Sequence, residues 1–90
     1  MITREFWGRR GDGDMQPVVA SIETPVWSER FEAWSASTAI FPIMPAIAIY
    51  GENGFQAVYL AVEHLDAVMT ASRNDGWIFS DERGPVEGFL

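Results

Sequence analysis

The clearest pattern in the chain lies between Asn53 and Ser72. Asn53 is a favourable N-cap and Gln56 follows three positions later, completing a capping box of the Asn-x-x-Gln kind. Phe55, Val58, Val62, Leu65 and Met69 then recur at three- and four-residue steps, an apolar stripe on one helical face. Gln56, Glu63 and Thr70 gather on the other side, with Asp66 near the border. The spacing predicts a helix over about 54–72, ending before Asn74-Asp75-Gly76. Its first two turns (Phe55, Ala57, Val58, Tyr59, Leu60, Ala61, Val62) are apolar nearly all round, so they need cover on more than one side. In so small a domain, another protein is a natural source of that cover.

Elsewhere the pattern reads as strands. Ile2 to Trp7 is a short segment, and three glycines between Gly8 and Asp14 force a turn. Met15 to Val26 is rich in β-branched residues, so 2–8 is expected to pair with 17–24 in a hairpin, with Pro25 ending the second strand or confining it to an edge. Trp27 to Ser37 fits helical spacing at Trp27, Phe31 and Trp34, and also fits the alternation of an edge strand with a wet face. Its tryptophans and phenylalanine favour the strand. Ser35 to Pro45 is expected to be irregular, because Pro42 and Pro45 each remove a backbone donor. Ala46 to Tyr50 is an apolar run ending at Gly51 and reads as a central strand, and Trp77 to Ser80 as a strand returning after the helix. Asp81 to Leu90 combines Gly84, Pro85 and Gly88 with three acids. It reads as a surface tail that Val86, Phe89 and Leu90 could dock. The expected architecture is α+β: an antiparallel sheet of four to five short strands with one long helix on one face, a single domain over 1–80 and an acidic tail over 81–90.

Ninety residues suffice for one domain and one modest core. Thirteen acidic residues face six basic ones, all arginine, for a formal charge of −7 and a pI near 4.4. That balance disfavours non-specific binding to nucleic acid or to anionic membrane. The longest apolar stretch, Ala39 to Tyr50, is twelve residues with two prolines. A membrane-spanning helix needs about 20. The N-terminus carries Glu5 and no signal-like apolar core, so the chain reads as soluble and cytoplasmic.

Without cysteine there is no disulfide, thiolate nucleophile, zinc knuckle or iron–sulfur site. His64 is the only histidine. Glu63 lies beside it in sequence but points elsewhere on a helix, so a surface or boundary histidine is the reading. Asp12-Gly13-Asp14 lacks the further oxygen ligands of an EF-hand loop and reads as a turn. The glycines at 8, 11 and 13 match neither a Walker loop nor a dinucleotide fingerprint. No catalytic residue, cofactor or metal ligand is assigned. Four tryptophans stand out, and Trp27 and Trp34, with Glu29 and Glu32 between them, are candidate binding anchors.

The stretch Ile47-Ala48-Ile49-Tyr50-Gly51-Glu52-Asn53-Gly54-Phe55-Gln56-Ala57-Val58-Tyr59-Leu60-Ala61-Val62 resembles the core of a family of small bacterial domains of unknown function. In that family a strand ends at glycine, a polar turn follows, and the helix opens Phe/Leu-Gln-Ala before an aliphatic run. A later tryptophan-containing strand matches Trp77. The resemblance covers roughly half the chain and implies an α+β fold without catalytic residues. In size and charge the chain also looks like immunity proteins of bacterial toxin systems. The expected function is therefore a small acidic protein-binding domain, an immunity-like inhibitor of an enzyme or toxin with a basic cleft. Glu29, Glu32, Asp12 and Asp14 would supply charge, and Trp27 and Trp34 the anchors. The second expectation is a non-catalytic structural or accessory subunit, a homodimer through the apolar 39–50 segment or an exposed sheet edge.

Overall fold

The computed structural model describes residues 1–89. Alternation of inward apolar and outward polar positions builds the first hairpin. β1 (Ile2–Arg10) pairs antiparallel with β2 (Gln16–Ile22), with Ile2 opposite Ile22 and Gly8 opposite Gln16. Phe6, Val18, Ala20 and Ile22 point inward and are buried. The turn uses Gly11 at φ 58°, a left-handed conformation that glycine adopts without a steric penalty.

Pro25 interrupts the next ladder without turning the chain back. β3 (Val26–Ser28) continues β2 along the same edge of β4 (Ala33–Phe41). The partners run from Val19 opposite Phe41 through Ile22 opposite Thr38, then Val26 opposite Ser35 and Ser28 opposite Ala33 after a one-residue slip. β5 (Met44–Gly51) takes the other edge of β4, with Trp34 opposite Gly51 and Thr38 opposite Ile47. After α1 (Gly54–Asn74), β6 (Trp77–Asp81) returns to the free edge of β1, and the two-residue β7 (Gly84–Pro85) pairs with β6. The result is an antiparallel seven-stranded sheet with one long helix packed against it, the expected α+β architecture with more strands. Among the described residues, no helix is long and apolar enough to cross a membrane.

Three expectations are corrected. Trp27 to Ser37 is not one edge strand: a turn over 29–32, with Glu32 at φ 49°, splits it into β3 and the start of β4, which is central. Ser35 to Pro45 is not irregular. Pro42 occupies the β4–β5 turn, and Pro45 falls where the register slips between Thr38 and Ile40, so neither removes a needed ladder bond. Ala46 to Tyr50 is an edge strand instead of a central one, because β5 pairs with β4 alone.

The tail also differs. Val86 and Phe89 are buried in the core. Arg4 donates from Nη1 to the carbonyls of Gly88 and Phe89, and the Phe89 amide donates to Asp66 Oδ1. Residues 84–89 are therefore part of the domain, and the expected docking of Leu90 lies outside the described residues.

The helix begins as its cap predicts. Asn53 Oδ1 accepts from the Gln56 amide at 2.8 Å, while Gln56 Oε1 accepts from the Glu52 amide at 2.6 Å, so the box closes one residue outside the cap. The buried face is Ala57, Ala61, Leu65, Met69 and Ser72, with Val58 and Val62 half-buried. Phe55, expected in the stripe, is 89% exposed. The cause is steric: a Cβ added at Gly51 would lie 2.5 Å from the Ala57 amide nitrogen. Without a side chain at Gly51 the two backbones meet, and in that seat the helix turns Ala57 and Ala61 to the sheet.

Two substitutions test this packing. Phe89→Ala should lower the unfolding free energy by about 3–5 kcal/mol in urea denaturation; a loss below about 1 kcal/mol would place the 84–89 segment outside the core. Gly51→Ala should depress the melting temperature sharply, since backbone on both sides of the contact must shift.

Candidate apolar groove at the helix N-terminus

The tight seat at Gly51 decides what the other side of the helix presents. With Ala57 and Ala61 against the sheet, helical periodicity carries Phe55, Val58 and Tyr59 onto the flank facing β3. There they meet Pro25 and Trp34 across a groove of about 500 Å³, lined by Pro25, Trp34, Gly54, Phe55, Val58 and Tyr59. The bend at Pro25 supplies one wall. Trp34 supplies the floor, half-buried because β4 is central. Trp27, 49% exposed, packs edge-on against Trp34 with ring centroids 6.0 Å apart. On the opposite sheet face Phe31 and Tyr50 form a second edge-on pair at 5.1 Å.

Charge is distributed unevenly around this groove. Its end of the molecule carries Glu23, Glu29, Glu32, Glu52 and Glu63, and here the Arg30 guanidinium lies over the Phe31 ring. The far end is balanced: Arg9, Arg10 and Arg73 accompany Asp12, Asp14 and Asp75, with Arg10 bridged to Asp75 at 2.7 Å. Glu63 stands one turn beyond Tyr59. Its carboxylate accepts from the phenol and, with its charge, raises the Tyr59 pKa above the ordinary tyrosine value.

The structure gathers four of the six sequence-derived site residues. Trp27 and Trp34 pair on β3 and β4, and Glu29 and Glu32 occupy the turn between those strands. Asp12 and Asp14 belong to the β1–β2 turn, at the other end of the continuous β2–β3 strand, about 40 Å away at strand rise. They are not part of this site. Phe55, Val58, Tyr59 and Pro25 were not among the sequence-derived candidates. The all-round apolar character of the first two helical turns was the signal that pointed to the three helix residues, and nothing marked Pro25 beyond its place at a strand end. His64 is half-buried on the opposite helix flank, away from the groove. Among the described residues, no group of three or more His, Cys, Asp or Glu side chains is placed to hold a metal ion.

A groove of this size and lining has room for an apolar side chain, and carboxylates stand near it. Phenol titration by ultraviolet absorbance gives a direct check of the rim. Glu63→Gln should bring the Tyr59 transition down toward that of an ordinary tyrosine, because both the carboxylate acceptor and its charge are removed. An unchanged titration would mean that Glu63 does not face the phenol in solution.

Comparison of the chain with protein-family models, curated proteins and solved structures gives no match.

Proposed function

We propose that this chain is a protein-binding module that docks through its groove end on a partner with a basic surface, and neutralises that partner in the manner of an immunity-like inhibitor. The observation that carries the reading is the coincidence of an apolar, aromatic-walled groove with the acidic end of the molecule. Enzymes acting on nucleic acids or nucleotides carry cationic clefts, and a −7 domain is steered toward such a cleft by long-range attraction. Steering alone gives a fast and weak encounter. Retention requires desolvated anchors, and large aromatic side chains are the residues that commonly supply them. Phe55 is the main candidate, being almost fully exposed with nothing of its own domain over it. Tyr59 and Trp27 stand half-open beside it.

Charge and anchor should separate kinetically. Reversing Glu29 and Glu32 to lysine should slow association and flatten its dependence on ionic strength, with dissociation little changed. Phe55→Ser, at a site where the fold has no stake, should leave the association rate intact and speed dissociation about 30-fold, the equivalent of roughly 2 kcal/mol. The measurement is surface binding of ligands selected from a displayed random-peptide library on the immobilised chain. Selected sequences should place an aromatic or large aliphatic residue among lysines and arginines. Ligands lacking that pattern, or indifferent to both sets of variants, would remove the groove as the docking site. Inhibition is checked on a basic enzyme that binds the wild-type chain and not Phe55→Ser. Its activity should vanish at one equivalent, and an enzyme left fully active would refute the inhibitory role.

A further inference from the structure

Opposite the groove the molecule carries a surface of different character. Among the described residues, β5 is unpaired along the whole of one edge, whereas β1 lacks a strand partner on its β6 side only from Ile2 to Phe6, where Arg4 holds the carbonyls of Gly88 and Phe89. The other margin of the sheet is closed by two-residue β7, which ends at Pro85 and runs into the buried Val86. Exposed strand edges are normally blunted by lysine, inward charge or proline along their length. β5 has only Pro45, near its start, and the chain carries no charged residue from Ala39 to Gly51. The helix flank turned away from the groove, toward β5, presents Leu60, His64, Ala67 and Ala71 and is equally free of formal charge. The groove flank, by contrast, carries Asp66, while Glu63 stands on the outer face of the helix between Tyr59 and Ala67.

We infer that this strip, the β5 edge with the adjoining helix flank, is a homodimer surface whose occupant is a second copy of the chain. Two copies of a −7 molecule repel, so a self-contact is tolerated best where no carboxylate faces another. A cationic partner would instead be drawn to the acidic end. Antiparallel pairing of β5 with itself meets the charge condition. Whether Ile47 or Ala48 lies on the two-fold axis, every cross-strand pair between Met44 and Gly51 is uncharged. The same axis sets the two α1 helices antiparallel, with alanines at 67 and 71 allowing close approach. An eight-residue strand is about 27 Å long, and sheet plus helix are about 20 Å deep. The contact is then roughly 500–600 Å² per copy, about 1,100 Å² in all, near the lower bound for a specific dimer. This surface lies apart from the groove, so the dimer and the docking reading stand or fall separately.

Sedimentation equilibrium of the full chain tests the inference. The mass should double from 10.1 kDa with rising concentration, and the association should strengthen when salt is raised from about 50 to about 500 mM, because screening relieves repulsion between like-charged copies. Ala48→Glu and Ala67→Glu should each return the chain to monomer with an unchanged circular dichroism spectrum, and Phe55→Ser should leave the dimer intact. Should Ala48→Glu unfold, Ala67→Glu carries the test, since that side chain is exposed on the helix. A wild-type chain that stays at 10.1 kDa at every concentration and salt would overturn the proposal. So would a dimer that survives both glutamates, weakens with salt, or is lost in Phe55→Ser.

Discussion

One contact determines most of what this molecule presents to its surroundings. At the end of β5, Gly51 lies directly under the first turn of α1, with the Ala57 backbone where a side chain would be. A strand that ends in glycine and a helix that opens with alanines at 57 and 61 can approach backbone to backbone. A side chain at Gly51 would hold the helix off the sheet. Close seating makes for a small core, and the helix rotates until Ala57, Ala61, Leu65 and Met69 point inward. Its bulkiest N-terminal side chains, Phe55 and Tyr59, are thereby turned outward. The groove follows from this packing geometry, since aromatic residues excluded from the core must lie somewhere on the surface.

The rest of the core compensates for the thin seat at the helix N-terminus. Phe6 and Phe79 meet edge-on at 5.5 Å, Trp77 stacks on Phe79, and the C-terminal segment closes over the remaining gap with Val86 and Phe89. Arg4 ties that segment down by donating to two carbonyls while lying 3.6 Å from Asp81. A ninety-residue domain has little interior to spare, and here nearly the whole chain contributes to it.

The surface divides into an acidic end with an apolar groove, a charge-balanced end around the Arg10–Asp75 pair, and an uncharged strip along β5. Under the two proposals, long-range fields draw a cationic partner to the first, and a like-charged copy meets least repulsion at the third. Both proposals rest on this division, and they use opposite flanks of the same helix.

Much of the fold was legible in the sequence. The capping box at Asn53 and the long apolar period that follows are local signals, and local hydrogen bonding and helical periodicity determine them. The first hairpin and the aromatic strand at Trp77 were read for the same reason, as was the α+β class. Trp27, Trp34, Glu29 and Glu32 were found together because they are close along the chain. What the sequence could not determine was which strand lies beside which. A central and an edge strand can carry the same apolar run, so β5 read as interior until its pairing with β4 alone made it an edge. Prolines 42 and 45 looked like breakers, and only the turn and the register slip gave them places that cost no hydrogen bond. Asp12 and Asp14 matched the site in charge and were separated from it by the length of a strand. The phase of the helix, and with it the exposure of Phe55, was decided by a backbone contact between Gly51 and Ala57 that no periodicity encodes. Local propensity fixed the elements, and steric fit between them decided which side chains face the outside.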